Sequence, residues 1–107
     1  MKVLVTGAYG KCGTAIIDHL DDDDRYEFSY LNRSDRPEDH PYGQFDTILA
    51  DVSDFDDLVE AAAGHDAMVH LAAYTNVSSD WGDVLQPNVI GQYNALEAAR
   101  RAEMDSF

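Results

Sequence analysis

The first thirteen residues leave the chain few options. A short apolar run, Val3-Leu4-Val5, ends at Thr6, and glycines follow at a spacing of three, Gly7, Gly10 and Gly13. An apolar pattern with helical spacing then begins. A chain written this way leaves a strand, turns sharply and enters a helix. Gly7 allows backbone angles closed to other residues. Gly10 has no Cβ, so a phosphate can approach its backbone, and Gly13 lets the helix pack close to the sheet. The start of the helix offers unpaired N–H groups and a partial positive charge, which together suit a pyrophosphate. The position of the glycines, after a strand and at the opening of a helix, is the context a dinucleotide loop requires. The loop is not of the Walker A type, because no glycine lies five positions before Gly10 and Cys12 stands after Lys11 where Ser or Thr belongs. The alternative for the glycines is a tight structural turn.

The rest of the chain alternates in kind. Residues 2–6 read as a strand and 12–20 as a helix with Ala15, Ile16, Ile17 and Leu20 inward. Residues 21–25 form a charged turn. Residues 26–32 read as a second strand with Tyr26, Phe28 and Tyr30 on one face, and 34–44, with Pro37, Pro41 and Gly43, as a loop. Residues 47–50 are a short third strand. Residues 54–63 are a helix capped by Asp54 and ended by Gly64, with Leu58, Val59 and Ala62 inward. Residues 67–71 are a fourth strand. Residues 84–101 read as one long helix despite Pro87 and Gly91, because Leu85, Val89, Tyr93 and Leu96 recur at helical spacing; Arg100 and Arg101 suit its C-terminal dipole. The pattern implies an α/β fold, a Rossmann-type doubly wound parallel sheet with strand order 3-2-1-4. Residues 1–107 make one nucleotide-binding domain, and the sequence stops where a fifth strand would begin. The sheet is therefore expected to be incomplete at its C-terminal side and the chain to be the N-terminal portion of something longer.

Composition narrows the partners. Asp and Glu number 21 against 7 Lys and Arg, a formal charge of −14, and Lys2 and Lys11 are the only lysines. Such a field repels nucleic acid and anionic membranes. The acids are dispersed over a chain that is 45% apolar, which reads as a solvated globular surface rather than a disordered tail. An Asp-rich, Lys-poor surface resembles those of halophilic archaeal proteins, whose self-repulsion is screened at high salt. No apolar run approaches a membrane span or a signal-peptide core, and a cytoplasmic location follows as the default. The single cysteine, Cys12, has no partner for a disulfide or zinc site and reads as a small packing residue.

Four stretches together, "VTGAYGKCG" (5–13), "ADVSD" (50–54), "VHLAAYTN" (69–76) and "NVIGQYNALEAAR" (88–100), resemble in order the extended short-chain dehydrogenase/reductase superfamily of NAD-dependent epimerases, dehydratases and sugar dehydrogenases. The resemblance implies that Gly7, Ala8, Tyr9, Gly10, Lys11, Cys12 and Gly13 hold the cofactor pyrophosphate. It implies that Asp51 and Val52 sit beside the adenine, and that Leu71, Ala72 and Ala73 run along the cofactor's phosphate and nicotinamide ribose. Asn88 matches an Asn that kinks the long helix and steadies the active-site water. His70 reads as a packed strand histidine rather than a base. Asn32 stands where NAD-type members carry an acid on the ribose hydroxyls; with Arg33 next to it, Arg36 nearby and Lys11 in the loop, the reading leans to NADP while leaving NAD open. The alternative is that Arg33 and Arg36 pair with Asp35, Glu38 or Asp39. The resemblance also implies a homodimer through two helices per subunit, of which residues 84–101 would be one.

The same family performs its chemistry with a Tyr and a Lys four positions later, and none of the six tyrosines here has that neighbour. Three readings follow. The chain is the dinucleotide-binding portion of a sugar or nucleotide-sugar dehydrogenase, epimerase or dehydratase, with Thr75, Asn76, Ser78 and Ser79 of the 74–82 loop facing a polyol. It is a non-catalytic, redox-sensing NAD(P)-binding module. Or it is an inactive truncation with an exposed sheet edge.

Overall fold

The computed structural model describes residues 1–35, 41–43 and 45–107. Arg36, Pro37, Glu38 and Asp39, which entered the loop and cofactor readings above, lie outside the described residues. Four parallel strands, β1 (Lys2–Thr6), β2 (Glu27–Asn32), β3 (Thr47–Leu49) and β4 (Ala67–His70), form one sheet in the order β3-β2-β1-β4, as the alternation predicts. β1 is central, which explains its unbroken apolar run: both of its faces are covered. Val3 and Val5 enter one core with Ile17 and Tyr30, while Leu4 enters the other with Leu58, Ala62, Ala95 and Ala98.

Helix α1 (Lys11–Leu20) supplies Ile17 to the first of these cores. Ala15 and Cys12 are exposed, contrary to expectation. The helix phase explains both: Gly13 and Ile17, four residues apart, define the buried stripe, and positions 12 and 15 fall outside it. On the same side Tyr26, Phe28 and Tyr30 form a ladder of rings 5.6 and 6.0 Å apart, closed by Phe45 edge-on to Tyr30 at 5.6 Å.

The second core is built by α2 (Phe55–Ala62) and α4 (Gly91–Arg101). Asp54 caps α2 as expected, accepting from the Asp57 amide at 3.2 Å. The inward face of α4 is a stripe of small residues, Gly91, Asn94, Ala95, Ala98 and Ala99. The larger apolar residues that signalled the helix lie elsewhere: Val89, Tyr93 and Leu96 are exposed and Leu85 is half-buried. Small residues let α4 approach the 51–54 turn. A Cβ on Gly91 would stand 2.7 Å from Val52 Cγ2, and buried Asn94 donates from Nδ2 to the Val52 carbonyl at 3.0 Å.

The expected single helix over 84–101 is three segments. A short helix α3 (Trp81–Val84) opens it, started by a capping box in which Asp80 and Asp83 accept from each other's amides at 3.0 and 3.2 Å. A π-helical turn, Leu85–Ile90, follows and contains Pro87; α4 then begins, with the Gly91 amide reaching back five residues to the Gln86 carbonyl. Proline has no N–H and its ring crowds the preceding turn, and a wider turn relieves that crowding. Beyond α4, Ser106 forms an isolated parallel bridge with Ala67, and the Met68 amide donates to the Ser106 carbonyl at 3.1 Å. The last residues thus run along the outer edge of β4, where the fifth strand was expected.

Candidate dinucleotide site

Parallel strands aim their C-terminal ends, and the loops that follow them, at one edge of the sheet. At that edge lies a cleft of about 330 Å³. Of the residues singled out from sequence, Gly7, Tyr9, Gly10, Asn32, Arg33, Asp51, Val52, Leu71, Ala72 and Ala73 line it. They come from four separate loops, so the fold brings together what the sequence scatters.

The floor is the glycine turn. Gly7 has φ +66°, a left-handed conformation, and a Cβ there would sit 2.7 Å from the Ala72 amide nitrogen. Gly7 is therefore required twice, for its angle and for its contact with the 71–72 backbone. Gly10 is the N-cap of α1 with no side chain capping it, and it lines the cleft. A Cβ on Gly10 would meet only the Gly7 carbonyl, at 3.5 Å, and the space beyond it is the cleft. Gly13 does not line the cleft; its α-carbon faces the Ala8 backbone, and Ala8 is fully buried with its amide donating to the Leu31 carbonyl at 3.3 Å. Lys11 and Cys12 lie on the exposed side of the first helical turn, also outside the lining.

Tyr9 forms a wall. Its ring is 6% exposed and stacks on Tyr42 at 6.2 Å, and its hydroxyl bonds the Thr47 hydroxyl, tying the glycine turn to β3. Asp51 also lines the cleft. Its Oδ1 accepts from the Ser53 amide at 2.9 Å and the Ser53 hydroxyl at 2.8 Å, and these bonds, with the Arg33 charge adding to them, hold the carboxyl below its usual range. Asn32 donates from Nδ2 to the Ser34 carbonyl at 2.7 Å, which shapes the turn carrying Arg33.

Asn88 lies in the π turn and not in the cleft lining. It clasps the backbone of Tyr74 in both directions, accepting from its amide at 2.7 Å and donating to its carbonyl at 2.9 Å. Tyr74 in turn lines the cleft, so Asn88 acts on the site through the loop it holds. Tyr74 opens the 74–82 loop expected on the substrate side; Leu31, Ser34, Ala50 and Pro87 complete the lining and were not singled out from sequence. Leu31, Ala50 and Ser34 adjoin residues that were, and the strand ends they mark are the signal that could have found them. Pro87 read only as an obstacle to a helix.

A parallel sheet in the order 3-2-1-4, with a glycine turn and a bare helix start at its C-terminal edge, defines a Rossmann-type α/β unit. The profile of the NAD dependent epimerase/dehydratase family matches residues 3–107, and the chain belongs to that family. The L-arabinose 1-dehydrogenase (NAD(P)(+)) of Haloferax volcanii is 36% identical over 104 residues, covering 97% of this chain and 38% of its own length. The NAD-dependent glucose-6-phosphate dehydrogenase of the same organism is 32% identical over 108 residues, covering 98% of this chain and 40% of its own. Among solved structures, a uronate dehydrogenase variant from Agrobacterium tumefaciens complexed with NAD superposes with a TM-score of 0.78 at 30% identity, covering 95% of this chain and 37% of that one. The chain thus spans about two fifths of the length of these relatives. The Haloferax relatives fit the acid-rich, lysine-poor composition. Among the described residues no helix is long and apolar enough to cross a membrane.

Proposed function

We propose that this chain is the dinucleotide-binding portion of an NAD(P)-dependent sugar dehydrogenase, epimerase or dehydratase. The observation that carries the reading is the uncapped start of α1 at a cleft that Asp51 and Arg33 also line. The pyrophosphate would lie over Gly7 and Gly10, against the first amides of α1. The adenine would lie between Arg33 and Asp51, with Asp51 Oδ2 accepting from its amino group and the Val52 amide donating to the ring. The adenosine ribose would meet Asn32, and the nicotinamide end would follow Leu71, Ala72 and Ala73 toward Tyr74. The cofactor would supply hydride exchange; the residues here would bind it, orient it and cover its phosphates.

Arg33 lines the cleft and supports a modest preference for NADP; Lys11, outside the lining, does not add to it. A sugar or nucleotide-sugar would approach past Tyr74, beside the hydroxyl-rich 75–79 stretch. No tyrosine here has the family's lysine partner, so the chain by itself is expected to bind the cofactor without transferring hydride. A cytoplasmic location goes with this reading. Val89, Tyr93 and Leu96, 48%, 65% and 49% exposed, would be covered by a second copy of the chain, and Tyr93→Glu would then yield a monomer by analytical ultracentrifugation.

Calorimetric titration at high salt tests the reading. Heat of binding with both dinucleotides, larger affinity for NADP, and loss of that preference in Arg33→Ala are expected. No binding of either dinucleotide would overturn it.

A further inference from the structure

The fully buried Thr6 hydroxyl meets three groups: His70 Nδ1 at 2.7 Å, the Leu71 amide at 3.2 Å and the Ala72 amide at 3.3 Å. A hydroxyl has one proton to give and two lone pairs to offer. The two amides can only donate, so they take the lone pairs. Of the three partners only Nδ1 can accept, so the hydroxyl proton goes to His70. The ring's own proton then sits on Nε2. The Leu71–Ala72 backbone gathered by this hydroxyl is the same backbone that lies 2.7–2.8 Å from the missing Gly7 Cβ. One side chain therefore joins the strand that launches the glycine turn to the wall that faces it.

We propose that His70 is a positioning residue for the dinucleotide: by accepting the Thr6 proton at Nδ1 it fixes the separation between the Gly7 turn and the 71–73 wall. The proposal rests on the dinucleotide reading above. His70 does not itself line the cleft. An imidazolium carries hydrogen on both nitrogens and would present a donor to Thr6. The hydroxyl would then have to accept from the ring and release an amide. The Leu71 amide keeps the Thr6 carbonyl at 3.1 Å, so the group left without an acceptor is the Ala72 amide, in the cleft wall. Among the described residues the ring meets the Thr6 hydroxyl from β1 and the Phe107 ring, 6.2 Å away, and neither side chain titrates. Burial alone holds the imidazole below its ordinary pKa, with no charged side chain contributing.

The test measures the NAD dissociation constant by calorimetry from about pH 8 to about pH 5, across the imidazole range. It compares the unaltered chain with His70→Leu and His70→Asn. Asn places an amide oxygen near the Nδ1 position and does not titrate. The unaltered chain should bind about tenfold more weakly at the acid end, and His70→Leu about tenfold more weakly throughout, without the step. His70→Asn should recover most of the affinity at the alkaline end and also lack the step. The other three histidines are present in every variant, so the difference isolates His70. A histidine that merely packs would lower the melting temperature on replacement and leave the pH profile of binding unchanged; that result overturns the proposal. Nitrogen-15 NMR of the unaltered chain gives an arm independent of any variant: the Nε2–H tautomer is expected, and Nδ1–H would overturn it. If the unaltered chain binds no NAD at any pH, the dinucleotide reading falls and this proposal with it. If it binds and the His70 variants bind identically, only this proposal falls.

Discussion

Replacing Gly13 by Ala separates two forces that act in opposite directions. Gly13 is in the first turns of α1, and helix propensity favours Ala over Gly by about 1 kcal/mol. Packing opposes it. A Cβ at this position would stand 2.2 Å from the Ala8 carbonyl oxygen, 2.5 Å from its carbon and 2.7 Å from its α-carbon. All three atoms are backbone, so no side-chain rotation relieves the clash. Ordinary contact begins at 3.4 Å, so α1 must move from the glycine turn by about 1.2 Å (3.4 less 2.2). Forced overpacking costs about 1–3 kcal/mol, and a clash with backbone belongs at the upper end. The net expectation is a loss of about 2 kcal/mol, or a melting temperature lower by about 8–16 °C for a domain of this size. The same shift carries the α1 amides away from Gly7, so dinucleotide affinity falls too. Gly10→Ala is the counterpart. Its Cβ meets only the Gly7 carbonyl at 3.5 Å, and its φ of −78° is open to Ala. Stability should stay within about 1 kcal/mol, while the added methyl occupies the phosphate space and abolishes binding. Thermal melts at high salt and calorimetric titration read both. A Gly13→Ala protein as stable as the parent would refute the packing argument, and a Gly10→Ala protein that binds NAD normally would refute the placement of the pyrophosphate.

The remaining predictions concern stability. Asn94→Ala leaves the Val52 carbonyl without its buried donor and should cost about 1–3 kcal/mol in urea denaturation; an unchanged midpoint would mean that another group replaces the bond. With a formal charge of −14, the chain should melt at higher temperature as salt is raised, because screening weakens self-repulsion; a melting temperature independent of salt would count against a repulsion-limited fold. Hydrogen bonds from Arg100 and then Arg101 pull Glu97 down to about 2 from 4.5, and Arg25 does the same for Asp23, down to about 2 from 3.8. A depressed folded pKa stabilises above the unfolded value and is lost as pH falls through the folded one. Both pairs therefore weaken between about pH 4.5 and pH 2, and Glu97→Gln should flatten part of the acid limb of a denaturation-against-pH curve.

Legibility in the sequence followed the strength of the physical constraint at each place. The β1 strand, the glycine turn and α1 are fixed by short-range demands, a doubly covered strand and backbone contacts that only glycine satisfies, and residues 3–17 show both directly. The strand order followed from alternation of kind and the chirality of crossovers, which do not depend on side-chain detail. The hydrophobic pattern pointed elsewhere at α4. Leu85, Val89, Tyr93 and Leu96 signalled helical structure but neither the π turn that holds the first two nor the buried face of α4, because that face needs close approach to Val52 and small residues provide it. Apolarity and burial diverge wherever a helix must come near, and a stripe of Gly, Asn and Ala is then the better sign.

The cleft was legible for a different reason. Its lining residues follow strand ends, and parallel strands deliver their ends to one edge, so a list of residues after strands approximates the site without any knowledge of contacts. The approximation fails at residues that act from behind it. Thr6 ends β1 and reads as strand, His70 ends β4 and reads as packing, and Asn88 stands out only through the family resemblance. Each acts on the cleft through a hydrogen bond to backbone or to its neighbour, at sequence separations from 14 to 66. Apart from the chance that a family resemblance points at one of them, as it did for Asn88, such residues become visible only when the fold sets their partners beside them. The bonds they make hold the 71–74 wall in place opposite the glycine turn, and a dinucleotide that lies between the two would depend on that spacing as much as on the residues it touches.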